Sequence, residues 1–161
     1  MSKMNHRAAL PLSHPACLAA TWFGVGLIRP APGTWGSLAA LPCAWVIVYF
    51  GGPFALAVAT LAVFVLGCWA GGVYERASGG QDPGVVVIDE VAGQWLVLIA
   101  APLDPLFYLA GFALFRLCDI TKPWPASWAD RQIHGGLGIM LDDILAALYP
   151  LAAIVVFQYW V

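Results

Sequence analysis

Charge is scarce in this sequence. Aspartate, glutamate, lysine and arginine make up 10% of its 161 residues, against about 25% in an ordinary soluble domain. Hydrophobic residues reach 61%, which excludes a disordered chain and leaves too little charge to coat a water-soluble globule. A basic excess is absent as well. Seven Lys and Arg against nine Asp and Glu leave a net charge of −2, so no nucleic-acid partner is expected. Cysteine is sparse and scattered: Cys17, Cys43, Cys68 and Cys118 form no C-x-x-C pair and sit in or beside apolar stretches. Neither a disulfide framework nor a zinc site is expected of them.

Long apolar runs fill the space the charges leave. Between Arg29 and Glu75 there is no charged residue. Ser37 to Phe50 and Phe54 to Tyr74 read as two membrane helices joined by a turn at Gly51-Gly52-Pro53. Glu75 to Glu90 reads as a polar, glycine-bearing loop. Val91–Ala101 and Leu106–Phe115 flank Pro102-Leu103-Asp104-Pro105, and prolines on both sides of an aspartate favour a helical hairpin over one kinked helix. Arg116 to Asp143 holds seven of the sixteen charged side chains, and Ile144 to Val161 is a last uncharged run. Ala16 to Ile28 follows Lys3 and Arg7 like the apolar part of a signal peptide, but Arg29-Pro30 replaces a cleavage site, so the segment is expected to stay. The expectation is an all-α fold in one domain over residues 1–161. It is a small polytopic helical membrane protein, a bundle of about four to five membrane helices plus an N-terminal interfacial or re-entrant helix.

The basic residues orient the bundle. With the hairpin in place, Lys3, Arg7, Arg29, Arg76, Arg116, Lys122 and Arg131 all fall on one side. The other side has Gly51-Gly52, Asp104 and the C-terminus, with no Lys or Arg. By the positive-inside rule the basic side is cytoplasmic.

Acidic groups at the ends of membrane helices are costly and usually functional. Asp89-Glu90 is expected to open a helix, Asp119 to close one and Asp142-Asp143 to open the last, all at the cytoplasmic face. Five converging carboxylates repel one another unless a cation lies between them, and a hard divalent ion, Mg²⁺, suits oxygen ligands. Asp89, Glu90, Asp142 and Asp143 are the expected metal ligands. Arg116, Lys122 and Arg131 add the cationic groups that a phosphate needs. Thr34 or Ser37 is expected to cap the helix that follows, with free amides there suited to an anion. His134-Gly135-Gly136-Leu137-Gly138 reads as a flexible loop, with His134 either a polar loop residue or a proton carrier. No cysteine is followed six residues later by arginine, and no aspartate opens a D-x-D-x-T motif. A metal-activated water is therefore the simpler route to phosphate chemistry than a covalent one.

Three segments carry a family resemblance: PGTWGSLAALP (32–42), VVIDEVAGQW (86–95) and FRLCDITKPWPASWADRQIHGGLGIMLDDILAALY (115–149). They resemble the phosphatidylglycerophosphatase A family, and the similarity runs from Thr21 onward. The resemblance implies a Mg²⁺-dependent phosphatase of the bacterial inner membrane. Its substrate is phosphatidylglycerophosphate, and its products are phosphatidylglycerol and phosphate. It places Asp89, Glu90, Gly93, Asp119, Lys122, Pro123, Asp142 and Asp143 on family motif positions, with Asp82 at an acidic position ahead of the D-E pair. Ala147 departs from the pattern, where a glycine is expected. The expected catalytic set is Asp89, Glu90, Asp119, Asp142 and Asp143, and the expected substrate-binding set is Thr34, Arg116, Lys122, Arg131 and His134. Water attack and an aspartyl-phosphate intermediate both stay open. Two other readings remain. One is a divalent-cation transporter or channel built on the same carboxylates; the other is a phosphatidyltransferase, whose longer D-x-x-D-G-x-x-A-R array is missing. Oligomeric state is not legible.

Overall fold

The computed structural model describes residues 9–80 and 82–160. Lys3 and Arg7, two of the seven orienting basic residues, lie outside them. The described residues form α1 (Pro15–Ala20), a 3-10 turn (Val25–Leu27), α2 (Pro32–Ser78), α3 (Ile88–Leu98), α4 (Pro105–Thr121), α5 (Ala126–Gln132) and α6 (Gly135–Trp160), with no strand among them.

Two helices, α2 and α6, are long and apolar enough to cross a membrane. α2 is not straight. Gly52 has φ 72° and ψ −179°, a backbone state open to glycine at little cost, and it divides α2 into arms 32–51 and 53–78. Gly33 lies against Glu90, and Gly72 lies against Gly136. In a straight helix those glycines would stand about 58 Å apart. Glu90 and Asp143 instead bring the two ends to one region, so the chain reverses at Gly52. The turn expected at 51–53 is this reversal.

α3 and α4 form the second hairpin. The Asp104 side chain caps α4 by accepting from the N–H groups of Leu106 and Phe107. Gly93 faces Phe115, and Gly111 faces Val97 and Leu98, which fixes an antiparallel pair. With 11 residues, α3 is only about 16 Å long, shorter than the roughly 20 residues that a helix needs to cross a bilayer. α6 packs against α2, α3, α4 and α5.

Three local expectations are corrected. Ala16–Ile28 is not one helix: α1 ends at Ala20, and Trp22 and Phe23 take positive φ before the 3-10 turn. The segment folds back on the approach to α3, where the Val87 N–H donates to the Ala20 carbonyl at 2.8 Å. Glu75 belongs to the last turns of α2 rather than to a loop. Residues 135–138 are the first turn of α6 rather than a flexible loop. A Cβ at Gly136 would lie 1.8 Å from the Cys68 carbonyl oxygen, so this glycine lets two helix backbones meet.

Candidate active site

The first turn of α3 presents Asp89 and Glu90 where free N–H groups and the helix dipole favour carboxylates. One turn on, a Cβ at Gly93 would lie 2.6 Å from the Phe115 ring and 3.2 Å from the Asp143 carbonyl oxygen. Glycine there draws α3 onto α4 and α6, and with them come Asp119 and Asp143. Asp142 and Asp143 sit two turns inside α6 rather than at its opening. Asp89, Asp119, Asp142 and Asp143 are buried. Single carboxylate oxygens of Asp89, Glu90 and Asp143 all lie within 4.8 Å of one another.

Two cations meet this acidity. Arg116 Nη1 pairs with Asp119 one turn away, lies 3.7 Å from Glu90 Oε1, and donates to Ser37 Oγ at 3.5 Å. Lys122 ends α4 and pairs with Asp142 on α6 and Asp130 on α5. Burial works against the charge on Lys122, but those two carboxylates outweigh it and hold the ammonium above its ordinary pKa. A cavity of about 270 Å³ lies between these groups, lined by all five predicted acidic residues, Asp82, Arg116 and Lys122 among others.

The carboxylates outnumber the cations, and the imbalance shows in the hydrogen bonding. Asp89 Oδ1, Glu90 Oε2, Asp142 Oδ1 and Asp143 Oδ2 are buried with no hydrogen-bond partner among the described residues. Leaving a buried ionised oxygen unpaired costs several kcal/mol. Asp89, Glu90 and Asp143 therefore form a donor set that fits a hard cation, with Asp142 beside it but turned to Lys122.

The remaining expected residues lie elsewhere. Thr34 does not line the cavity, and α2 starts at Pro32 with no side-chain cap. Ser37, the other expected cap, donates to the Gly33 carbonyl and accepts from Arg116 instead. Arg131 is exposed and donates to the Ser127 carbonyl at 2.9 Å. His134 lines a neighbouring cavity with Glu75, Asp82, Asp130 and Asp142.

Gln94 was not singled out in the sequence reading. It is fully buried one turn below Glu90, and neither of its amide atoms has a partner among the described residues. Its signal was a lone amide inside an apolar run. Asp130 gave no local signal, because its partner Lys122 is eight residues away across a turn.

A family model described as phosphatidylglycerophosphatase A matches residues 18–158, a stretch that contains every side chain of the cavity. The chain belongs to the phosphatidylglycerophosphatase A family. It is 40% identical to a phosphatidylglycerophosphatase A of Haemophilus influenzae, over 99% of each chain. A relative of the same name from Escherichia coli is 39% identical over 88% of this chain and 83% of its own. A protein of Bacteroides thetaiotaomicron named "Putative phosphatidylinositol-3-phosphatase" is 41% identical over 88% of this chain and 92% of its own. No solved structure matches. All three relatives carry phosphatase names, one of them qualified as "Putative", and nothing among them supports a cation transporter.

Proposed function

We propose that this enzyme hydrolyses phosphatidylglycerophosphate to phosphatidylglycerol and phosphate, with Mg²⁺, at the cytoplasmic face of a bacterial inner membrane. The observation that carries the reading is the convergence of five acidic side chains from three helices on one cavity, four of them with an orphaned buried oxygen. Asp89, Glu90 and Asp143 would hold Mg²⁺. When bound, the ion supplies positive charge against the phosphate oxygens and lowers the pKa of water.

The chain's own residues do the rest. Arg116 and Lys122 line the cavity, where they can take phosphate oxygens. Asp119 holds Arg116 in place across one helical turn. A neighbouring carboxylate is within the cavity to accept the proton of the attacking water.

The surroundings suit a lipid. Phe23, Trp35, Trp124 and Trp128 are exposed near the cavity end, while Tyr49, Phe50, Phe54, Tyr159 and Trp160 are exposed at the other. Two such aromatic belts mark the interfaces of a bilayer. The acidic residues apart from Asp104 gather at one end of the bundle rather than along a path through it, which disfavours a conduction route.

The test is phosphate release by detergent-purified protein from phosphatidylglycerophosphate, with phosphatidylinositol 3-phosphate as the competing substrate. We expect Mg²⁺-dependent release from the first, reduced about 100-fold or more in Asp89→Asn and in Asp143→Asn. Release undiminished by chelator, or confined to the inositol lipid, overturns the proposal.

A further inference from the structure

Lys122 is held from two sides by unequal partners. Asp130 Oδ1 lies 2.5 Å from Nζ, and the Asp130 side chain is 40% exposed. The Asp142 side chain, on the other side, is 7% exposed. That difference decides which bond can be exchanged. Taking the ammonium from Asp142 strands a buried carboxylate. Taking it from Asp130 leaves a carboxylate that water can solvate, and such exposed pairs contribute little.

The weaker bond is also in a particular place. Lys122 lines the carboxylate cavity. Asp130 lines the second cavity, of about 230 Å³, with Glu75 and His134, and Asp82 and Asp142 line both. The Lys122–Asp130 bond therefore runs along the partition between two polar cavities.

We propose that Asp130 is a placeholder anion: an arriving phosphomonoester takes its position on Lys122, Asp130 turns out to water, and Asp142 keeps the ammonium at the cavity. The proposal rests on the phosphatase reading above. It makes phosphate binding an exchange of one anion for another, rather than the addition of a dianion to an already acidic cavity. It also gives the product phosphate a competitor at the moment of release. Asp130 touches no reacting atom and acts only through Lys122, so it is a positioning residue.

The sequence offers an unusually clean probe, because it has only two lysines, Lys3 and Lys122. In a Lys3→Arg protein labelled with ¹⁵N-lysine, one ammonium signal remains. Inorganic phosphate, titrated with Mg²⁺ present, is expected to shift that signal. Asp130→Asn is expected to shift it before phosphate is added, and Asp130→Glu to behave as the parent. In turnover, Asp130→Asn is expected to lower KM and the inhibition constant for phosphate together, about two- to fivefold. A purely structural role for Asp130 would raise both, and that result overturns the proposal. So does a lysine signal that phosphate leaves in place. If the parent releases no phosphate from lipid, the phosphatase reading fails, while the phosphate-induced shift still decides whether the exchange occurs.

Discussion

Arg116 shows how much one side chain carries at this site. A single nitrogen meets Asp119, Glu90 and Ser37, so Arg116→Ala removes the cation from two carboxylates at once. Removing one member of a buried pair typically costs about 3–5 kcal/mol. We expect a clear fall in melting temperature, and a larger rise on adding Mg²⁺ than the parent shows, because the ion compensates the freed charges. Differential scanning fluorimetry in detergent reads both. Gly33 works by what it lacks. A Cβ there would lie 2.0 Å from Glu90 Oε1, and the flexible end of Glu90 would have to yield. With Glu90 as a proposed Mg²⁺ ligand, Gly33→Ala should leave the fold intact and weaken Mg²⁺ activation about tenfold, the effect expected of a change just behind a ligand. Activity at rising Mg²⁺ should then approach the parent's.

At the scale of elements, the two hairpins were readable because their turns are local. Gly52 supplies a backbone angle, and Asp104 caps the helix that follows it. The acidic pairs were readable because a carboxylate in an apolar helix needs a reason to be there. What failed was the meaning of Gly135-Gly136-Leu137-Gly138. Glycine clusters usually mark flexible loops, whereas here the need is set by α2, far away in sequence, whose backbone touches α6. The same non-locality hid Asp130 and separated Thr34 from Ser37, since only packing decides which hydroxyl faces Arg116. The glycine claim divides cleanly. Gly136→Ala drives a Cβ to 1.8 Å from the Cys68 carbonyl oxygen, whereas Gly71→Ala meets nothing nearer than 3.5 Å. We expect the first to lose about 1–3 kcal/mol and the second to stay close to the parent, as measured by thermal unfolding.

Over the whole molecule, the reversal at Gly52 and the α3–α4 hairpin put both polar cavities at one end, with the Gly52 and Asp104 turns at the other. The basic residues Arg29, Arg76, Arg116, Lys122 and Arg131 share the cavity end. That arrangement predicts a labelling pattern. Gly80→Cys should be shielded from an impermeant maleimide added outside intact cells, and Leu103→Cys should react. The four native cysteines are buried or half-buried and should give a low background.

The brevity of the α3–α4 hairpin has a consequence for the solvent rather than for the protein. α3 is buried among its neighbours, so the hairpin meets lipid through α4, whose Leu106, Leu109, Leu117 and Ile120 are exposed. The 17 residues of α4 span about 26 Å against a hydrocarbon layer of about 30 Å, less than the long helices around it. Lipid should thin beside α4, or the hairpin sink, at a modest cost for each ångström of mismatch. Either adjustment sets the height of the cavity mouth relative to the headgroups. The enzyme should therefore respond to the acyl length of the bilayer itself, apart from that of its substrate. In vesicles of graded chain length its rate should pass through a maximum in the thinner ones, making the membrane's own dimensions an input to the synthesis of its lipids.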